Sequence, residues 1–358
     1  MKPLVTLTLF TLLASFYCLA TIRTVSNDPA NPAQFASIQA AVNAAAAGDT
    51  IYVNPSITTY VGPVTISKRL VMIGGGYKSS NQLGYSTTVG EFTFDRSGGD
   101  PSGSVICGFN IGTQLSVRGG FPTISNVTVF RNRIAGLVVQ GGNNWLIYNN
   151  IITGSFVLSN NSIPNNIIIQ NNIFDGAVFG NTGNANFLID HNLFVGSPFL
   201  ILNNIQFATI TNNIFATITS ATIMNSNVIS NNFNNNLSVN SNIGATAPTN
   251  SFAGGPNTAA GNFVAVDPLF VNAPLGAYNA NYDYRLQSSS PVKNAGTDGT
   301  DLGIYGGAFP FPSGGGSGSG FDTSALPPIP QVTSVNIQNG TLPSGAQLKV
   351  TIQATVNN

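Results

Sequence analysis

From residue 49 onward the apolar residues fall in short β-branched and aromatic runs: Asp49-Thr50-Ile51-Tyr52-Val53, Val64-Thr65-Ile66, then Leu70-Val71-Met72-Ile73. Each run is closed by Pro, Gly or Lys-Arg, which is strand punctuation. One earlier stretch, Gln34 to Ala47, instead places Phe35, Ile38 and Val42 at i, i+3 and i+7, and Gly48 follows it. That spacing predicts a short amphipathic helix that needs a surface to pack on.

A repeat emerges when blocks are superposed: VFRNRI (129–134), IYNNII (147–152), IQNNIF (169–174), IDHNLF (189–194), ITNNIF (210–215) and ISNNFN (229–234). The fourth column is Asn132, Asn150, Asn172, Asn192, Asn213 and Asn232, at spacings of 18, 22, 20, 21 and 19. Self-similarity near 20 residues marks a solenoid in which each repeat is one coil. Leucine-rich repeats share this period but need a Leu-x-x-Leu-x-Leu frame, which is absent.

In a parallel β-helix, coils stack at about 4.8 Å, so a column of identical residues becomes a ladder. Asn suits a bend because it tolerates unusual backbone angles, and its amide donates and accepts along the axis. The six Asn are read as a structural ladder, with an Asn-rich binding stripe as the other reading. Ile151, Ile173, Leu193 and Ile214, together with Phe174, Phe194 and Phe215, are expected to stack as the dry interior.

The expected organisation is a signal peptide at 1–20, a β-helix domain at 21–309, a Gly/Ser/Pro-rich linker at 310–327 and a β-hairpin or small β-module at 328–358. Lys2, the apolar run from Leu4 to Leu19 and small Ala20 carry the signal-peptide reading. It implies a secreted or cell-surface protein with no transmembrane segment in the mature chain. Cys18 precedes the cleavage point, leaving Cys107 without an internal disulfide partner.

Four further stretches stand out: AGDTIYV (47–53) after the helix, GGGY (74–77), ICGFNI (106–111), and a closing region with Asp267-Pro268-Leu269-Phe270, Asp283-Tyr284-Arg285-Leu286 and Asp301-Leu302-Gly303-Ile304-Tyr305. Together they resemble the secreted bacterial right-handed β-helix repeat proteins of the pectate-lyase-like superfamily, in their surface-protein branch. The resemblance implies an all-β, right-handed parallel β-helix with an N-terminal capping helix and a small C-terminal β-module. It leaves function open, because that superfamily spans lyases, hydrolases, esterases, epimerases and adhesins.

Charge narrows the choice. Only 7% of residues are charged and the formal net charge is zero, so the chain offers no electrostatic footprint for nucleic acid. Between Phe121 and Val266 the acidic residues are Asp175 and Asp190 and the basic ones Arg131 and Arg133. A calcium site wants six to eight oxygen ligands, which makes calcium possible but unsupported, and no cofactor is expected. A glycosidase needs two carboxyls at roughly 5–10 Å, but Asp175 and Asp190 fall at different phases of the coil.

His191 sits in the column of Asn149, Asn171, Asn212 and Asn231 and reads as a substituted column member. Glu91, Asp95 and Arg118, beside Arg96 and Asp100, are the catalytic candidates, and Tyr148 and Trp145 the candidates for stacking on sugar. The reading is a non-catalytic protein binding polysaccharide or cell-surface glycan. A polysaccharide lyase or glycoside hydrolase is the alternative, and the oligomeric state is open.

Overall fold

The computed structural model describes residues 20–77, 85–118, 123–158, 164–180, 186–196, 200–217, 222–244, 251–276, 278–311, 330–337 and 350–356. The signal-peptide expectation and most of the linker lie outside them. Ser37 accepts a hydrogen bond from the Ala40 amide and starts the helix, which spans Ile38–Ala44 and buries Ile38, Ala41 and Val42 against the first coils. It is shorter than its apolar pattern because the chain turns extended at Ala45.

The remainder is a parallel β-solenoid with three faces. Face one is a sheet of eleven strands from Ile22–Val25 to Thr258–Ala260, each pairing in parallel with the strand one coil away. Face two is built from two-residue strands such as Ile151–Ile152, Ile173–Phe174, Leu193–Phe194 and Ile214–Phe215. Face three includes Leu137–Val139, Phe156–Leu158, Leu200–Asn203 and Thr222–Met224. The longer strands Thr88–Phe94 and Asn110–Val117 serve faces two and three together and join them into one sheet.

The corner between faces one and two is written in the Asn-Asn pair, and its two members do different work. The first member takes a left-handed backbone, with φ of 51° at Asn149, 52° at Asn171, 52° at His191, 57° at Asn212 and 50° at Asn235. Asn tolerates that region better than most residues. The second member is fully buried from Asn132 to Asn213 and forms a continuous ladder. Asn172 illustrates it: its Nδ2 lies 2.9 Å from Ile147 O and 3.1 Å from Asn192 Oδ1, while its Oδ1 accepts from the Asn150 amide at 2.9 Å.

Asn132, Asn150, Asn172, Asn192 and Asn213 follow one another in this ladder, and the next places belong to Asn236 and Asn262. Asn232 is not a member. It lies exposed on face one, where the register pairs Ile210 with Phe233 and Ile214 with Leu237. The correct superposition of the last block on ITNNIF is therefore FNNNLS (233–238), and the residue in line with His191 is Asn235 rather than Asn231.

A second column occupies the corner between faces two and three. At Gly154 an added Cβ would sit 2.0 Å from Ala135 O, at Gly176 2.1 Å from Gly154 O and at Gly196 2.2 Å from Asp175 O. Backbone packs on backbone there, so only glycine fits.

The interior is a stack of rings. Phe174 lies 4.9 Å from Phe194, and Phe194 lies 4.6 Å from Phe215, each pair stacked with nearly parallel rings. Alternation along two-residue strands sends the preceding column the opposite way. Ile151, Ile173, Leu193 and Ile214 therefore point out of the solenoid, and they form a second core with Tyr284, Val292, Leu302 and Ile304 from the closing segment. The expectation of a single interior holding both columns is corrected accordingly.

After a short antiparallel pair, Phe270–Asn272 with Asp283–Leu286, the chain runs as a strap over face two. The C-terminal module is an antiparallel hairpin of Pro330–Ile337 and Val350–Val356. Among the described residues no helix is long and apolar enough to cross a membrane.

Candidate functional site

The catalytic candidates lie on the outer side of face three. Arg118 donates from Nη1 to Asp95 Oδ2 at 2.9 Å, and Asp95 also accepts from the Ser97 amide at the start of a single helical turn. Those Ser97 contacts, aided by Arg118, hold the Asp95 carboxyl below the usual range against its burial. Glu91 Oε1 accepts separately from Thr93, Gln114 and Ser116 at 3.1, 3.1 and 3.3 Å. Glu91 and Asp95 are four residues apart along an extended chain, on the order of 13 Å by strand rise. Each carboxylate is thus tied to its own set of partners, and Arg96 is occupied by Asp100 at 3.1 Å.

The aromatic candidates also have structural partners. Trp145 is fully buried, donates from Nε1 to Ile124 O at 2.8 Å and packs edge-on against Phe94, so it is a core anchor and has no free face for sugar. Tyr148 is half-buried on face one with Phe130 at 4.9 Å and Phe309 at 4.3 Å, both stacked. Its ring joins face one to the end of the strap.

The left-handed column grips that strap. Asn149 Nδ2 donates to Phe309 O at 2.7 Å, Asn171 Nδ2 to Gly306 O at 2.7 Å and Asn235 Nδ2 to Ala295 O at 2.7 Å. Asn212 exchanges two bonds with Thr297, each 2.9 Å. His191 fills the place between Asn171 and Asn212. Its Nε2 lies 3.2 Å from Thr300 Oγ1, and its Nδ1 lies 2.9 Å from Asp190 Oδ1, a close electrostatic contact without hydrogen-bond alignment.

An Asp-His-Thr grouping invites a nucleophilic reading, but its geometry opposes one. The Thr300 hydroxyl donates to Asp298 Oδ1 at 2.8 Å and accepts from the Gly307 amide at 2.8 Å. Strap backbone also lies on the imidazole, since a Cβ on Gly307 would come within 2.7 Å of Nδ1. The group is a buried clip. Asp298 and Asp301 are likewise taken up, the latter by Lys293 and the Asn294 amide at 2.9 Å each.

One cluster is different in kind. Asp175, at the face two rim, accepts from the Tyr278 amide at 3.2 Å, and burial raises its carboxyl pKa despite that bond and the nearby Arg133 charge. Arg133 is held by Asn110 Oδ1 at 3.3 Å. The Tyr278 ring stacks on Tyr284 with Tyr282 packed edge-on beyond it, and both Arg133 and Asp175 act on the Tyr278 phenol. A carboxylate, a guanidinium and tyrosine rings thus meet where the strap joins the solenoid. Asp175 and Arg133 were visible in the sequence as rare charges, but Tyr278 lies about a hundred positions beyond Asp175 and no local pattern links them.

No family model matches the chain, and no curated protein matches it.

Proposed function

We propose that this protein is an exported, non-catalytic β-solenoid, of the pectate-lyase-like kind in its surface-protein branch, that binds glycan at the rim formed by Arg133, Asp175 and Tyr278. The observation that carries the reading is the chemistry of that rim. Hydroxyl groups of a sugar are recognised by paired donors and acceptors beside an aromatic ring, which Arg133, Asp175 and the Tyr278 ring supply. A single carboxylate suits binding, whereas glycoside hydrolysis uses two at a set distance. The apolar run before Ala20 supports export.

The test is affinity of the full chain for a polysaccharide panel by calorimetry, with Asp175→Asn and Arg133→Ala. Asn keeps the acceptor for the Tyr278 amide, so the rim stays folded while the charge is removed. Each variant is expected to lose roughly tenfold or more, the scale of a charged hydrogen bond. Affinity unchanged in both variants would place the ligand elsewhere.

A further inference from the structure

Face one carries an apolar strip on its outer side. Register aligns Val71, Val105, Thr128, Leu146, Ile168 and Leu188 one above another, all half-buried and all but Thr128 apolar. At about 4.8 Å per coil this strip is roughly 24 Å long. The same row turns polar and exposed farther on, at Thr209, Asn232 and Thr258. A solvated sheet face alternates apolar-in with polar-out, and the last coils obey that rule while the earlier ones break it. The break is what a covered surface requires.

The C-terminal hairpin has the complementary need. An isolated two-stranded hairpin is at best marginally stable in water. Val350 and Ile352, two residues apart on one side of their strand, are exposed, at 41% and 61%. The register sets Ile337 and Val335 opposite them. The strand Pro330–Ile337 has eight residues, about 27 Å at strand rise, which matches the strip in length.

The tether starts at the right place. Phe309 stacks on Tyr148, which projects beside Leu146 from the same strand, and Phe311 follows two residues later. Residues 312–329 between Phe311 and Pro330 are rich in Gly and Ser, and their number sets an upper reach of about 60 Å, enough to bring Pro330 to the strip. Such a tether gives the hairpin a millimolar-scale effective concentration at the strip. Neither the strip nor the strands Pro330–Ile337 and Val350–Val356 carry a charged residue.

We infer that the C-terminal hairpin docks in cis, through the side bearing Val350 and Ile352, on the outer strip of face one centred on Leu146 and Ile168. The interaction covers apolar surface that the solenoid leaves open and keeps the tail against its own body.

A photoreactive benzophenone side chain placed at position 168 of the full chain tests this, using a mixture of isotopically heavy and light chains. Docking in cis gives cross-links to 330–337 or 350–356 within one chain only. The variant Val350→Asp with Ile352→Asp lowers the yield at least about tenfold while the melting of the solenoid is unchanged. Heavy–light cross-links to the hairpin, absence of any cross-link to it, or a yield indifferent to the double substitution would each overturn the inference.

Discussion

Asn192 and Asn232 both follow an Asn or His in the sequence and have opposite fates in the structure. Asn192→Ala removes amide contacts to Ile169 O at 2.8 Å and Asn213 Oδ1 at 3.0 Å, and strands the Asn172 amide inside the corner. Unpaired buried groups cost about 1–3 kcal/mol each, so urea unfolding should show a loss of about 2–4 kcal/mol. Asn232→Ala, on the exposed sheet face, should stay within about 0.5 kcal/mol. The two differ because 231–236 reads NNFNNN and offers two frames. Leu237 opposite Ile214 and Ser238 opposite Phe215 decide between them. The ladder was legible wherever one Asn pair stood alone, and ambiguous where the run was longer.

Two aspartates of the coils titrate in opposite senses. Burial raises the pKa of Asp190, but His191, Gln170 and Thr211 together outweigh it and the net shift is downward. A depressed carboxyl adds stability that is present above the unfolded pKa of about 3.9 and is lost as pH falls through the folded value. Strap docking, followed by limited proteolysis, is therefore expected to weaken below about pH 4 in the native chain, and less so in Asp190→Asn. Asp175 is raised by burial, so its contribution is complete below the unfolded pKa and is lost as pH rises through the folded one. Asp175→Asn should melt higher than the native chain at neutral pH, with the difference vanishing in acid; a lower melting point at neutral pH would contradict this account of the rim.

The elements stand on two columns of unequal legibility. The glycine corner lies two residues beyond the face two strand at Gly136, Gly154, Gly176 and Gly196, and extends the repeat that the Asn column defines, until Thr217 takes the place after Ile214-Phe215. Gly176→Ala would push a Cβ to 2.1 Å from Gly154 O, and melting should report a loss of about 1–3 kcal/mol. Gly90→Ala, with nothing within 4 Å of its Cβ, serves as the neutral comparison.

The outward Ile and Leu column was not legible, because what covers it comes from Leu302 and Ile304, some ninety or more positions away. Periodicity reports that a position is buried, not what buries it. Ile304→Asp sets a carboxylate in that second core and should cost about 3 kcal/mol. Dye binding and cleavage within the closing segment should rise while the far-ultraviolet signature of the coils persists. Retained protection of the strap in this variant would show that the polar clips hold it unaided.

For the whole molecule, the period of 20 residues in the sequence carried the solenoid, since a repeat that cannot bury its own apolar face must stack. The rim proposed to bind glycan was not accessible by the same route, because Arg133, Asp175 and Tyr278 meet only after the strap folds back across the coils. The remaining carboxylates of the original candidates are absorbed by neighbours, Asp95 by Arg118 and Glu91 by Gln114, Ser116 and Thr93. The most direct measurement is incubation of the full chain with a polysaccharide panel, reading retained glycan and released reducing ends or unsaturated products in the same samples. The account predicts retention that Asp175→Asn weakens, with no product formed; product release abolished by Glu91→Ala or Asp95→Ala would contradict it.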